Sequence, residues 1–208
     1  NEIFALTPDS LEFRTIRAFV DGYGHLVEDS NFETRQKEWQ ATIRHTAAEI
    51  ADTFQNPEAI VHFVASTLAR VEETKLNRNA SPHVLLYELV AGKNSLAQYV
   101  VEYALGKPKS AIARYVPMAL PRIYSEDVAS GRAFTSRILA SGSPELRASL
   151  ARCLGQVLGN SSLGEYEFDT LKGFLTSDDE HEVATAAGEL RHVGALDAAK
   201  ALELIGAT

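Results

Sequence analysis

Apolar residues recur every three or four positions along most of the chain, which is the spacing of an amphipathic α-helix. The stretch from 39 to 54 shows it well, with apolar residues at Trp39, Ile43, Ala47, Ile50 and Phe54. Stripes of the same kind run through 11–26 and 60–71. No convincing strand with a two-residue period accompanies them. The pattern predicts an all-α protein with longer helices in its first half.

Proline and capping residues predict where several of these helices begin. The side-chain oxygen of a cap accepts a backbone N–H that the helix leaves unpaired, and proline suits the first helical position. Ser30 and Glu33 have the spacing of a capping box. Pro117 and Pro121 predict a kinked or split helix. Four cap–proline pairs are Thr7-Pro8, Asn56-Pro57, Ser81-Pro82 and Ser143-Pro144.

The second half of the chain is repetitive. The segments ILASGSPE (138–145) and FLTSDDEH (174–181) align at an offset of 36, and each reads as a helix end, a turn and a new helix start. Pro108 lies 36 residues before Pro144 and marks a further unit. A period near 36 with two helices in each unit is typical of an α-solenoid.

The segments SPELRASLARCLG (143–155) and DDEHEVATAAGEL (178–190) resemble first helices of HEAT-like repeats. The resemblance covers roughly 107–208. It implies a right-handed α-solenoid of antiparallel helix pairs, in which the second helix of each pair lines the concave side. Residues 1–106 match the repeat poorly, so we expect a helical region of divergent repeats or a cap there, continuous with the solenoid.

Composition narrows the setting of the protein. Apolar residues make up 45% of the 208, and no apolar run approaches the roughly 20 residues of a membrane span. No secretory signal is visible, and the chain starts at Asn1 with its one methionine internal, so we expect the native start to be missing. Cys153 is the single cysteine, which favours a reducing setting. We therefore expect a cytoplasmic protein without a membrane partner.

One segment, HEVATAAGELRH (181–192), begins as a zinc-protease helix does, with His181 followed by glutamate. That motif needs a second histidine four residues later, where this chain has Thr185. We interpret the segment as a helix start in which Asp179 is the cap and Glu182 closes a capping box. The buried stripe predicted for this helix is Val183, Ala187 and Leu190.

Other candidate chemistry is equally incomplete. One face of the second helix would carry Glu38, His45, Glu49 and Asp52, which could bind a metal only if a second helix added ligands. We interpret it as a solvated face. Cys153 falls among leucines and is expected to be a buried, inert thiol. The sequence predicts no catalytic residues, no cofactor and no metal site, and it argues against an enzyme.

Charge is distributed unevenly, although the net charge is −8. Residues 107–152 carry 8 basic and 3 acidic side chains, net +5, between two acidic regions. Arginine forks suit carboxylates and phosphates. The predicted binding residues are Arg114, Arg122, Arg132 and Arg137. Alternatively, these arginines pair with the acidic neighbouring repeats.

We therefore expect a non-enzymatic scaffold or regulatory module that binds a protein or peptide, an acidic one if the arginines bind it, along a curved helical face. Reversing Arg132 and Arg137 to glutamate is expected to abolish binding without loss of helicity. One alternative is nucleic-acid binding through the basic middle segment, although the chain is acidic overall. The other is a helical enzyme or the regulatory subunit of one.

Overall fold

The computed structural model describes residues 10–20, 32–73, 82–92, 94–160, 164–194 and 198–206. Within these ranges the chain forms α-helices and one 3-10 helix, Ala111–Tyr115, and no strand. The all-α prediction is confirmed at this level. The helices are α1 Leu11–Val20, α2 Phe32–Thr53, α3 Pro57–Glu73, α4 Pro82–Gly92, α5 Asn94–Gly106, α6 Val116–Glu126, α7 Val128–Ala140, α8 Pro144–Asn160, α9 Glu165–Leu175, α10 Glu180–Gly194 and α11 Ala198–Ile205.

The chain divides into two compact units, with the division falling inside α5. Unit 1 comprises Asn1–Tyr99 and Ser110–Ile112, and unit 2 comprises Val100–Lys109 and Ala113–Thr208. Among the described residues, none of the helices combines the length and the apolarity that a membrane crossing requires.

Unit 1 is built around α1 and α2. Helix α2 packs on α1 and α4, and α1 also contacts α3 and α4. The predicted stripe of α2 is confirmed at its centre, where Ile43, Ala47 and Ile50 are buried, whereas Trp39 and Phe54 at its ends are half-buried. Salt bridges join Arg14 to Glu49 and Arg70 to Glu12 across these helices. Buried side chains of the predicted α3 stripe are Ile60, Val64, Thr67, Leu68 and Val71.

Helix starts follow the predicted caps wherever the structure describes them. Asn56 Oδ1 accepts from the Glu58 N–H at 2.9 Å, and α3 begins at Pro57. Ser143 Oγ accepts from the Leu146 N–H at 3.3 Å, at the start of α8. The predicted caps Thr7, Ser30 and Ser81 lie outside the described residues. An unpredicted cap is Ser10, whose Oγ accepts from the Phe13 N–H at 3.2 Å.

Unit 2 is organised around α8. Helix α8 contacts α6, α7, α9 and α10, and α10 also contacts α9 and α11. Almost all of the described side chains of α8 between Leu146 and Val157 are buried. The starts of α8 and α10 are separated by 36 residues, which is the spacing that the alignment predicted. The predicted split is confirmed near Pro117, because the 3-10 helix ends at Tyr115 and α6 begins at Val116, but α6 continues through Pro121.

Two glycines of unit 2 allow neighbouring helices to approach closely. A Cβ atom on Gly131 of α7 would lie 2.6 Å from the Tyr124 ring of α6. A Cβ atom on Gly155 of α8 would lie 2.4 Å from Cβ of Glu189 and 2.9 Å from its carbonyl oxygen, both in α10. Because helix backbone cannot move aside as a flexible side chain can, no larger residue fits at Gly155 without a shift of the helices.

The predicted buried stripe of α10 is wrong. Ala187 is exposed, and Val183 and Leu190 are only half-buried. The stripe assumed that apolar residues face inward, but α10 turns two glutamates towards its neighbours. One contacts an arginine of α8, and the other lies against Gly155. The buried residues are Glu182, Ala186, Glu189 and Val193.

Candidate functional site

Two of the predicted binding arginines lie on α7, and each forms an ion pair with a carboxylate of unit 2. Arg132 Nε lies 2.7 Å from Glu167 Oε1, and its Nη2 lies 3.1 Å from Oε2. Arg137 Nη1 and Nη2 lie 2.5 and 2.6 Å from the two oxygens of Glu102. Both are bidentate pairs, the geometry in which arginine holds a carboxylate most firmly. Arg132 and Arg137 are therefore structural ties in addition to candidate binding residues.

A third pair was not predicted. Arg147 of α8 donates to both oxygens of Glu182 in α10, from Nη2 at 2.9 Å and also from Nε. Ser177 Oγ adds a hydrogen bond to the same carboxylate at 2.8 Å. Glu182 is 3% exposed, so this charge is buried and fully partnered.

The three pairs share one sequence separation, 35 residues. Each pair joins a helix to the next helix but one: α5 to α7, α7 to α9, and α8 to α10. The same separation in unit 1, between Arg14 and Glu49, joins the consecutive helices α1 and α2. In unit 2 the spacing of 35 residues therefore links alternate helices.

Two of these contacts favour the charged form of the carboxylate. The hydrogen bond from Arg137 lowers the pKa of Glu102, and that from Arg147, with help from Ser177, lowers the pKa of Glu182. Burial acts in the opposite direction on both pKa values, and the hydrogen bonds outweigh it. The guanidinium groups of Arg132, Arg137 and Arg147 have raised pKa values for the matching reason.

The other two predicted binding arginines lie on different elements. Arg122 of α6 lies 2.8 Å from Glu126 in the next turn of the same helix. Arg114 is exposed on the 3-10 helix. The four arginines thus occupy three elements: the 3-10 helix, α6 and α7.

An open cleft of about 390 Å³ lies in front of α9, and we call it the α7–α9 cleft. Five of its lining residues belong to α9, at positions i, i+3, i+4, i+7 and i+8, so they share one face of that helix. Arg147 and Phe174 line it as well, with the guanidinium 5.3 Å from the ring centroid. The lining comprises Leu139 of α7, Arg147 of α8, and Tyr166, Asp169, Thr170, Gly173 and Phe174 of α9.

Tyr166 is held in place from α7. Its hydroxyl lies 2.9 Å from Ser136 Oγ, and the Arg132 guanidinium lies 5.5 Å from its ring centroid. Since Arg132 also binds Glu167, the two neighbouring positions of α9 are both tied to α7. This wall of the cleft is therefore connected to α7 through both residues.

Two groups in the cleft are available to a ligand. Asp169 is exposed, and no described residue forms a hydrogen bond or an ion pair with its carboxylate. A Cβ atom on Gly173 would meet no other atom within 4 Å, so α9 presents bare backbone there. The cleft thus combines apolar surface with one charged group that has kept its binding capacity.

The segment at His181 that resembles a zinc-protease helix is the start of α10. Asp179 Oδ1 accepts from the N–H groups of His181 and Glu182 at 2.8 and 3.3 Å, which confirms the predicted cap. The predicted capping box is wrong, since the Glu182 carboxylate turns to Arg147 and Ser177. Among the residues that the structure describes, no three His, Cys, Asp or Glu side chains are grouped to hold a metal ion.

The remaining candidates are also placed. Cys153 is fully buried, as predicted, and burial raises the pKa of its thiol well above the usual range. His45, Glu49 and Asp52 border an open depression on α2. Glu49 is already paired with Arg14, so only part of that face is free.

The carboxylate partners and the cleft escaped the sequence reasoning. A search for Arg and Glu 35 residues apart, one less than the repeat period, would have found Glu102, Glu167 and Glu182. Nothing in the sequence distinguishes Asp169 or Gly173 from other residues of their type. Both matter because the described residues leave them open to solvent, which only the structure shows.

Comparison of the chain with protein-family models, with curated proteins and with solved structures gave no match in any of the three.

Proposed function

We propose that the chain is a non-enzymatic interaction module that binds a protein or peptide in the α7–α9 cleft. The observation that carries the proposal is that one open cleft combines apolar surface with the carboxylate of Asp169, which pairs with none of the described residues. Binding sites are typically apolar clefts with a few well-placed polar groups. Because this cleft is open along α9, it suits side chains of a partner better than an enclosed small molecule. We expect the partner to be cytoplasmic.

The scaffold we propose is a right-handed, HEAT-like α-solenoid of antiparallel helix pairs over unit 2. Three observations support it: the 36-residue spacing of helix starts, the contacts that α8 makes with both α6 and α10, and the ion pairs between alternate helices. In such a stack the second helices of successive pairs lie side by side. Helices α7 and α9 would be two of these, and the cleft lies along them.

The predicted binding of an acidic partner by Arg114, Arg122, Arg132 and Arg137 has less support than binding in the cleft. Arg132 already donates two hydrogen bonds to Glu167, and Arg137 already donates two to Glu102, so one edge of each guanidinium group is occupied. The same argument weakens the nucleic-acid alternative, because phosphate binding relies on cations that exchange small counterions for phosphates. Reversing Arg132 to glutamate would also place a carboxylate beside the buried Glu167, so lost binding could reflect lost structure.

Gly173→Gln gives a cleaner test. The new side chain would project into the cleft, and the open space around Gly173 means that the fold should tolerate it. Gly188→Gln is the matched control, because Gly188 is also an exposed glycine inside a helix with no atom within 4 Å of a Cβ. Each chain would be used to capture proteins from native lysate, with and without nuclease.

We expect a protein that is retained by the original chain and by Gly188→Gln, resists nuclease and is lost with Gly173→Gln. Equal capture by all three chains would overturn the assignment of the cleft. Loss of all retained material after nuclease treatment would favour the nucleic-acid alternative, and a salt titration would then count the phosphate contacts.

A further inference from the structure

The segment that carries α9 and α10 is acidic even after its pairs with Arg132 and Arg147 are counted. Residues 164–194 carry eight acidic side chains and two basic ones, Lys172 and Arg191. Arg132 neutralises Glu167, and Arg147 neutralises Glu182. An excess of four negative charges therefore remains on this segment. One acidic residue of the segment, Asp169, lines the cleft, and the one arginine of the cleft, Arg147, is already partnered by Glu182.

Two of the unpartnered carboxylates stand one turn apart on the exposed side of α9. Glu165 and Asp169 are both exposed, and neither forms a hydrogen bond or an ion pair with any described residue. Residues four apart on a helix are neighbours on its surface. Their charges repel one another, so a cation placed between them would relieve that repulsion as well as pair with Asp169.

Apolar surface lies beside these carboxylates. Leu139 and Phe174 line the cleft, and no atom lies within 4 Å of the position that a Cβ atom on Gly173 would take. The volume of about 390 Å³ is enough for a large aliphatic or aromatic side chain. A partner segment with an apolar residue near a basic one would meet both features at once.

We infer that the occupant of the α7–α9 cleft is a short peptide segment with an apolar anchor beside a lysine or arginine. The inference rests on the proposed function and gives the partner a chemistry, which is opposite in charge to the one that the arginines alone suggest. An acidic segment would meet Asp169 and Glu165, while Arg147 is already held by both oxygens of Glu182.

The test is selection from random peptides displayed on phage, using the full chain as bait. Parallel selections use Gly173→Gln, with Gly188→Gln as its control, and Asp169→Asn, with the exposed Asp178→Asn as its control. We expect enriched peptides that pair an apolar residue with a nearby lysine or arginine. Synthetic versions should lose binding to Gly173→Gln and bind Asp169→Asn about 2- to 5-fold more weakly, the range for a partly exposed ion pair.

The outcomes separate the inference from the proposed function. Enriched peptides that are acidic or neutral, yet still depend on Gly173, would overturn the inferred charge and leave the cleft as the binding site. Enriched peptides that bind Gly173→Gln normally would overturn both. An equal affinity for Asp169→Asn and Asp178→Asn would also overturn the ion pair, and a selection that enriches nothing counts against the inference.

Discussion

The α8–α10 interface and the α7–α9 cleft contain the same residue types in opposite surroundings. Gly155 in the interface faces Glu189 so closely that no side chain fits, whereas Gly173 in the cleft faces open space. Glu182 in the interface is buried and holds three hydrogen bonds, whereas Asp169 in the cleft is exposed and unpartnered.

Within unit 2, the contrast distinguishes residues that hold helices together from residues that we propose for binding. At the interface, a missing side chain and a carboxylate allow two helices to pack, so altering either should reduce stability. At the cleft, the same two features make no contact with another helix, so altering them should change binding without a loss of stability. A glycine or a carboxylate can therefore serve packing or binding, and its contacts decide which.

The largest effect is expected from breaking the buried pair of the interface. Arg147→Met keeps the apolar part of the side chain but leaves Glu182 buried without its cation. We expect the free energy of unfolding to fall by about 3 kcal/mol, at the lower end of the range for such pairs, because Ser177 still donates. Denaturant unfolding would measure it.

Arg152→Met is the control for this change, since Arg152 is exposed on the same helix. The double variant Arg147→Met with Glu182→Met should recover much of the lost stability, because it removes both charges. If Arg147→Met and Arg152→Met unfolded at the same denaturant concentration, the interface pair would have no structural role.

A smaller effect is expected from the two glycines. Gly155→Ala places a Cβ atom against the backbone of α10 and should lower the free energy of unfolding by about 1–3 kcal/mol through overpacking. Gly173→Ala should raise it by about 0.5 kcal/mol, because alanine favours helix and nothing obstructs it. Thermal unfolding of both variants measures the difference, and effects of the same sign would refute the contrast.

The pH dependence of stability provides the most subtle test. The pKa of Glu182 in the folded chain lies below its ordinary value of 4.5, so its stabilising contribution is complete above that value. The contribution is lost as the pH falls through the lower, folded pKa. Glu182→Gln should therefore unfold with a shallower dependence on acidic pH than the original chain. The exposed Glu180→Gln is the control, and an equally shallow curve there would remove the link to Arg147.

Much of the helical framework could be predicted from the sequence, because local rules determine it. Asn56 and Ser143 cap helices as expected, and the 36-residue period located the starts of α8 and α10. These features depend on neighbours along the chain, where capping geometry and side-chain spacing decide the outcome.

The buried face of α10 and the cleft could not be predicted in this way. Periodicity places apolar residues inside, yet Glu182 is inside because an arginine 35 residues earlier supplies its counter-charge. The same limit applies to the predicted binding arginines, because a sequence shows their charges but not the carboxylates that pair with them. The solenoid itself and the roles of Arg114, Arg122, Arg132 and Arg137 in binding remain predictions.

Helix α7 has a mechanical consequence. Arg137 clamps it to α5 on one side and Arg132 clamps it to α9 on the other. A pulling force applied along the chain would therefore be borne by these two ion pairs between alternate helices, as well as by the loops that join consecutive helices. Cutting the chain in the turn after α7 would leave α7 and α9 still linked through Arg132, so unit 2 should resist a nick better than its connectivity alone suggests.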